Sequence, residues 1–215
     1  MIDNYHIDEF GVIHQTEYKT FTYDKEYMDY YEGLKERTIK LGYLRLGLIT
    51  GILKRLPFSV LELGYGIGSF LDACQKSKVD DCFGTDIKQF PLPDNCKFIP
   101  YNEINDNAYE VVGMFDVLEH VPDPTFIKHL DTRYLAISVP YCRWRELGDE
   151  WFKNWRMRLP DEHIHHYDIG SLGCFMDYCG YDMIHSSHIE DGLRLREGED
   201  GPNIITAIFK QRCYE

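Results

Sequence analysis

Long apolar runs are missing from this 215-residue sequence, and no stretch approaches about 18 uncharged hydrophobic residues, so no transmembrane helix is expected. Basic residues are few beside acidic ones, 23 against 36, giving a net charge of −13. That balance argues against a partner gripped through phosphate neutralisation, such as duplex nucleic acid. A nucleotide-sized ligand needs only a local cationic patch and stays compatible. No C-x-x-C pair occurs among the seven cysteines at positions 74, 82, 96, 142, 174, 179 and 213, and their number is odd. They read as reduced, buried thiols in a cytoplasmic protein rather than as a disulfide framework. The first residues, Met1-Ile2-Asp3-Asn4-Tyr5-His6, lack the basic segment and apolar core of a signal peptide. Repeats and low-complexity segments are absent as well.

What is present is the composition of a globular domain, 44% hydrophobic and 14% aromatic, at a length suited to one α/β core. Residues 1–23 mix polar and aromatic side chains, with a turn at Glu9-Phe10-Gly11 that would serve a small hairpin. From Asp24 to about Leu56 the pattern turns helical, with Tyr27, Tyr30, Tyr31 and Leu34 at three- and four-residue spacing. Gly42, Gly47 and Gly51 weaken that helix but allow close packing.

After Pro57 strands and helices alternate. Strands are predicted at Ser59–Leu63, Asp81–Ile87, Cys96–Pro100, Glu110–Phe115, Tyr134–Val139, Tyr181–His188 and Asn203–Phe209. Helices are predicted at Gly68–Ser77, Pro124–Leu130 and Ile169–Tyr178. Such alternation implies a mostly parallel sheet with helices on its faces. The connections Lys88–Asn95 and Tyr101–Tyr109 are too short for a full helix, so one face is expected to be thinly covered.

The strand Val60-Leu61-Glu62-Leu63 runs into Gly64-Tyr65-Gly66-Ile67-Gly68 and then a helix. Glycines stand where backbone passes close to a ligand or takes positive φ, and in an open parallel sheet ligands lie at the carboxyl ends of strands. The spacing differs from the dinucleotide G-x-G-x-x-G because Ser69 stands where its last glycine would be. About 20 residues on, Gly84-Thr85-Asp86 places an acid at the next strand end, where a carboxylate can accept both ribose hydroxyls.

Taken with two further segments, these motifs resemble class I S-adenosylmethionine (SAM)-dependent methyltransferases, over roughly residues 56–211. The family's acidic-x-Gly-x-Gly-x-Gly motif is matched by Glu62, Gly64, Gly66 and Gly68, and its second-strand acid by Asp86. Asp116-Val117-Leu118-Glu119-His120-Val121-Pro122-Asp123-Pro124 is similar to the Leu-Glu-His-x-x-Asp-Pro run of a small-molecule subgroup. Glu162-His163-Ile164-His165-His166-Tyr167 is similar to its Glu-His-x-His segment.

The resemblance implies a Rossmann-like, seven-stranded, mostly parallel sheet with helices on both faces, its last strand antiparallel and an N-terminal helical cap. Residues 1–55 would form the cap and 56–215 the SAM-binding domain, with 141–160 as a lid-like insertion. It implies SAM as cofactor, S-adenosylhomocysteine as product, and a cofactor site of Glu62, Gly64, Tyr65, Gly66, Gly68, Asp86, Phe115 and Asp116. Tyr27 and, at the cofactor's carboxylate, Arg45 would add a second wall. The family's adenine-holding acid after the third strand has no counterpart, which leaves the contact to Asn102 or to backbone.

Histidine suits proton transfer near neutral pH, which makes His120, His163 and His165 the candidate catalytic residues. The cluster Glu162, His163, His165 and His166 matches no recognised metal-ligand spacing, so no metal is expected. The insertion carries all three tryptophans (144, 151, 155) and four arginines (143, 145, 156, 158). It reads either as a lid gripping an anionic acceptor or as an arm packed on the sheet or a second subunit. The expected activity is methyl transfer to a small polar acceptor such as a sugar or nucleotide-sugar. A catalytically silent SAM-binding module of the same fold is the competing expectation. Neither nucleic acid nor membrane is an expected partner, and a dimer is left open.

Overall fold

The computed structural model describes residues 2–20 and 33–214. In chain order these form β1 (Tyr5–Ile7), β2 (Ile13–Gln15), α1 (Lys35–Leu53), β3 (Ser59–Leu63), α2 (Ser69–Lys76), β4 (Asp81–Thr85) and β5 (Cys96–Phe98). There follow β6 (Tyr109–Phe115), β7 (Thr132–Pro140), α3 (Trp144–Asn154), β8 (His165–His166), α4 (Ile169–Tyr178), β9 (Tyr181–Ser187), α5 (Asp191–Arg194) and β10 (Ile204–Gln211). The predicted helical start at Asp24, with Tyr27, Tyr30 and Tyr31, lies outside the described residues.

Seven strands form one sheet in the order β5-β4-β3-β6-β7-β10-β9. The first four junctions are parallel, and β10 is antiparallel to both its neighbours. The Rossmann-like sheet read from the sequence is therefore present, with its antiparallel last strand. Alternation along the strands separates two cores. Val60, Val111 and Phe115 face one side, with Leu46 and Ile49 of α1 and Phe70, Leu71 and Cys74 of α2. Leu61, Leu63, Val112 and Met114 face the other, against Leu172, Phe175 and Met176 of α4. Gly42 lets α1 close on α2, since a Cβ there would lie 2.4 Å from the Ser69 carbonyl oxygen.

The two short connections hold no α-helix: Lys88–Asn95 is irregular and the other forms a 3-10 turn, Tyr101–Asp106. The helix expected over Pro124–Leu130 is also a 3-10 turn, Pro124–His129, capped by Asp123, which accepts the Thr125 N–H. Of the cysteines, Cys74, Cys82, Cys142 and Cys179 are buried, but Cys174 and Cys213 are exposed, and all seven are free thiols. Cys174 escapes burial because α4 turns Ser171, Leu172, Phe175 and Met176 inward, which leaves position 174 on the outer side.

The hairpin anticipated near the N-terminus exists, and it pairs with a distant segment. β2 lies antiparallel to β8, so a three-stranded sheet β1-β2-β8 joins the first residues to the Glu-His-x-His segment. The insertion packs on that sheet as an arm. Phe152 and Trp155 bury against Tyr5, Ile13 and Cys142. Three of its four arginines are engaged with the protein: Arg143 with Glu146 and the Gly201 carbonyl, Arg145 with Asp168 and the Gly11 carbonyl, Arg156 with Glu199. No helix among the described residues is long and apolar enough to cross a membrane.

Candidate active site

At the carboxyl ends of β3, β4 and β6 the described residues line a cavity of about 1100 Å³. One end is the glycine turn. Gly64, Gly66 and Gly68 have φ of 67°, 51° and 72°, the left-handed region in which a side chain is strained. A Cβ on Gly64 would strike Val117 at 2.6 Å, whereas the space beside Gly66 is open to the cavity. The Gly66 N–H donates to Asp86 Oδ2 at 2.9 Å and the Lys88 N–H to Oδ1 at 3.0 Å, which aims the carboxylate along the cavity wall. Tyr65 pins the loop by donating its hydroxyl to the Phe90 carbonyl.

Glu62 lines the same end, 4% exposed, and its Oε2 has no hydrogen-bond partner. Burial pushes its carboxyl up to about 8, against the opposing pull of Arg45. A buried carboxylate oxygen without a hydrogen-bond partner is costly, so this end suits a cationic or hydrogen-bond-donating group. An open glycine turn, a half-buried carboxylate at the ribose position and an acid with one unpartnered oxygen fit the nucleoside, ribose and ammonium of SAM.

Three of the expected contacts are engaged within the fold or lie apart from the cavity. Arg45 does not stand open for a ligand carboxylate: it makes two hydrogen bonds to Glu190 (2.8 and 2.9 Å) and stacks 4.3 Å over the Phe115 ring. Asp116, at φ 56°, likewise receives both guanidinium nitrogens of Arg194 (2.8 and 2.9 Å), and Arg194 also bonds Glu190 at 3.0 Å. Burial alone would raise the Glu190 carboxyl, but the two arginines hold it below the ordinary range. Two cations and two anions thus balance in the cavity floor, where Arg45, Asp116 and Arg194 line the space. Asn102 is exposed and away from the cavity, because the 3-10 turn buries Ile104 and presents Tyr101 to the cavity instead. Tyr27 lies outside the described residues.

The other end of the cavity carries His120, on a 3-10 turn just after β6. Its Nδ1 donates to the Glu162 carbonyl at 2.8 Å, so Nε2 bears the lone pair. Burial lowers its pKa, partly offset by that hydrogen bond. His163 stands behind it, ring centroids 4.7 Å apart and edge to face, with Nδ1 donating to the Met157 carbonyl at 2.7 Å. Burial, then the neighbouring His120, takes its pKa down to about 4.

His165 is not part of this wall. Its Nε2 donates to the Val121 carbonyl (2.9 Å), and its Nδ1 accepts from His14 Nδ1 (2.7 Å), whose Nε2 faces Asp8 at 2.9 Å. With both ring nitrogens used, His165 ties β8 to the N-terminal hairpin. His166 is buried among Tyr5, Phe152 and Trp155.

Residues that sequence reasoning passed over include Glu190 and Arg194, whose i, i+4 spacing was the available signal, and Glu119. The Glu119 side chain is 1% exposed and neither oxygen has a hydrogen-bond partner. Burial first, then Asp116, holds its carboxyl well above the ordinary range.

A family model described as a methyltransferase domain matches residues 31–186, most of the chain. No curated protein matches. Among solved structures, the plantazolicin methyltransferase BpumL in complex with S-adenosylhomocysteine is 14% identical, covering 88% of this chain and 91% of that one at a TM-score of 0.57. Magnesium protoporphyrin IX methyltransferase from Synechocystis PCC 6803, also with S-adenosylhomocysteine, is 14% identical over 90% of each chain at 0.54. The YcgJ protein of Bacillus subtilis is 13% identical, covering 78% of this chain and 98% of that one at 0.56. At these identities the likeness is one of fold.

Proposed function

Since the chain belongs to the methyltransferase-domain family of class I SAM-dependent enzymes, we propose that it methylates a small polar acceptor held against His120. SAM, when bound, supplies a methyl group on a sulfonium, open to in-line displacement. The observation that carries this reading is that a single cavity joins the glycine turn, Asp86 and Glu62 at one end to His120 at the other.

Each end then has its task. Asp86, aimed by the Gly66 and Lys88 amides, takes the ribose hydroxyls, and Gly66 lets the cofactor approach the backbone. Glu62 offers its orphaned oxygen to the cofactor's ammonium. His120 turns its Nε2 lone pair to the acceptor, with His163 fixing the ring from behind. Much of the rate comes from holding the two reactants in line at attack distance, with proton acceptance adding to it. A hydroxyl-rich acceptor such as a sugar or nucleotide-sugar suits a wall formed by His120, Asp123 and Glu162.

Calorimetry with SAM is the first test, and no heat at millimolar cofactor would sink the reading. A labelled-methyl screen across sugars, nucleotides and quinones then separates an enzyme from a silent SAM-binding module, which would bind cofactor and label nothing.

A further inference from the structure

We propose that Glu119, His120 and His163 form a site for one divalent transition-metal ion in the cavity wall. One ligand atom from each residue lies within 4.8 Å of the other two. Two imidazole nitrogens and a carboxylate oxygen are a donor set that holds zinc, manganese or iron. Both histidines donate Nδ1–H to main-chain carbonyls, those of Glu162 (2.8 Å) and Met157 (2.7 Å). This is the outer-shell arrangement that fixes a metal-binding imidazole with its Nε2 lone pair directed at the ion. The third ligand is the independent observation. Glu119 is 1% exposed and both its oxygens lack hydrogen-bond partners, whereas buried polar atoms are otherwise almost always satisfied. An ion bonded to Glu119 explains why an acid is kept there.

Metal–ligand bonds of about 2 Å place ligand atoms roughly 3–3.5 Å apart, so the three side chains close slightly on the ion. His120 and Glu162 line the cavity, which gives the ion its way in. Three protein ligands leave coordination positions open on that side, as in catalytic rather than structural sites. The consequence rests on the methyl-transfer reading: an acceptor hydroxyl binds the ion and becomes a stronger acid. Its proton leaves to water, the oxygen lone pair forms the new C–O bond, the C–S bond breaks, and the sulfonium ends as a neutral thioether. The ion's charge is unchanged, and with its Nε2 lone pair on the ion His120 acts through the metal in place of accepting the proton itself.

The test titrates metal-stripped protein with Co²⁺ and Zn²⁺, reading the visible absorption of Co²⁺ and the heat of Zn²⁺ binding. The expected result is one ion per chain and an affinity about 100-fold weaker in Glu119→Gln, with SAM binding unchanged as proof of folding. His163→Gln gives the same readout through a second ligand. The site is overturned if the wild type binds neither ion at about 1 mM, or if both variants bind as tightly as the wild type. An ion bound in a protein that methylates nothing sinks the acceptor reading and leaves the site standing. Methyl transfer at full rate in stripped protein overturns the ion's part in the reaction.

Discussion

The two ends of the cavity are built in opposite ways. The cofactor end is local: β3, the glycine turn, α2 and β4 follow one another in the chain, and Asp86 is fixed by an amide of the turn it serves. The proposed acceptor end is assembled from afar, from a turn after β6, a segment before β8, and a hairpin near the N-terminus that holds β8 in place. A cradle for a common cofactor can be carried as a contiguous motif. A wall for a particular acceptor is composed by the fold, so its residues are chosen by position in space rather than by spacing.

That contrast can be broken most forcefully at His120. His120→Asn is expected to lower turnover by about 10²–10⁴-fold, the range for losing a positioned acid–base group, with SAM affinity within about 2-fold of wild type. Equal losses in calorimetry and turnover would show that the ends are not separable.

Next in size is the charge-balanced floor. Glu190→Gln removes one member of a buried network and is expected to cost about 3–5 kcal/mol, a fall in Tm of roughly 10 °C for a chain of this length. A thermal melt unchanged within about 2 °C would refute it.

Asp86→Ala should weaken SAM by about 100-fold, from charged hydrogen bonds worth about 1.5–3 kcal/mol each. Binding of Co²⁺ at the far end is expected to stay as in the wild type.

The smallest effect is that of pH on Glu62. The folded chain keeps this proton up to about pH 8, while the unfolded chain releases it near the ordinary 4.5. Between those values the native state binds more protons than the unfolded state, so stability falls as pH rises. A cationic ligand group beside Glu62 gains as the carboxyl ionises, and SAM affinity should rise up to about 5-fold from pH 7 to 8. Glu62→Gln should flatten both trends in melts and calorimetry.

The sheet was legible in the sequence because its strands carry apolar residues on both faces and its turns carry glycine. Glu62, Gly64, Gly66, Gly68 and Asp86 could be proposed from sequence because they belong to one β–α–β unit, and Glu62, Gly64, Gly66 and Asp86 line one end of the cavity. Arg45 was visible as a cation near the cavity, but its partner Glu190 lies 145 residues away, and no spacing announces such a pair. Asn102 faces solvent because Ile104 takes the inward position of its turn. His163 and His165 look equivalent in sequence, yet His163 lies in the irregular segment before β8 and packs on His120, while His165 belongs to β8 and meets His14 across the β2 seam. The insertion's arginines suggested an anion grip, but each of Arg143, Arg145 and Arg156 found a carboxylate within the fold. The ligands proposed for a metal come from two segments, Glu119-His120 and His163, so no single spacing in the sequence would announce them.

The seam between β2 and β8 closes the longest loop of the acceptor wall and should be among the last contacts to form. His14 and His165 are 151 residues apart in the chain and meet at 2.7 Å, and contacts of such separation close late because the intervening loop entropy must be met first. During synthesis the cradle around Gly66 and Asp86 can form while the segment that will carry His163 is still untranslated.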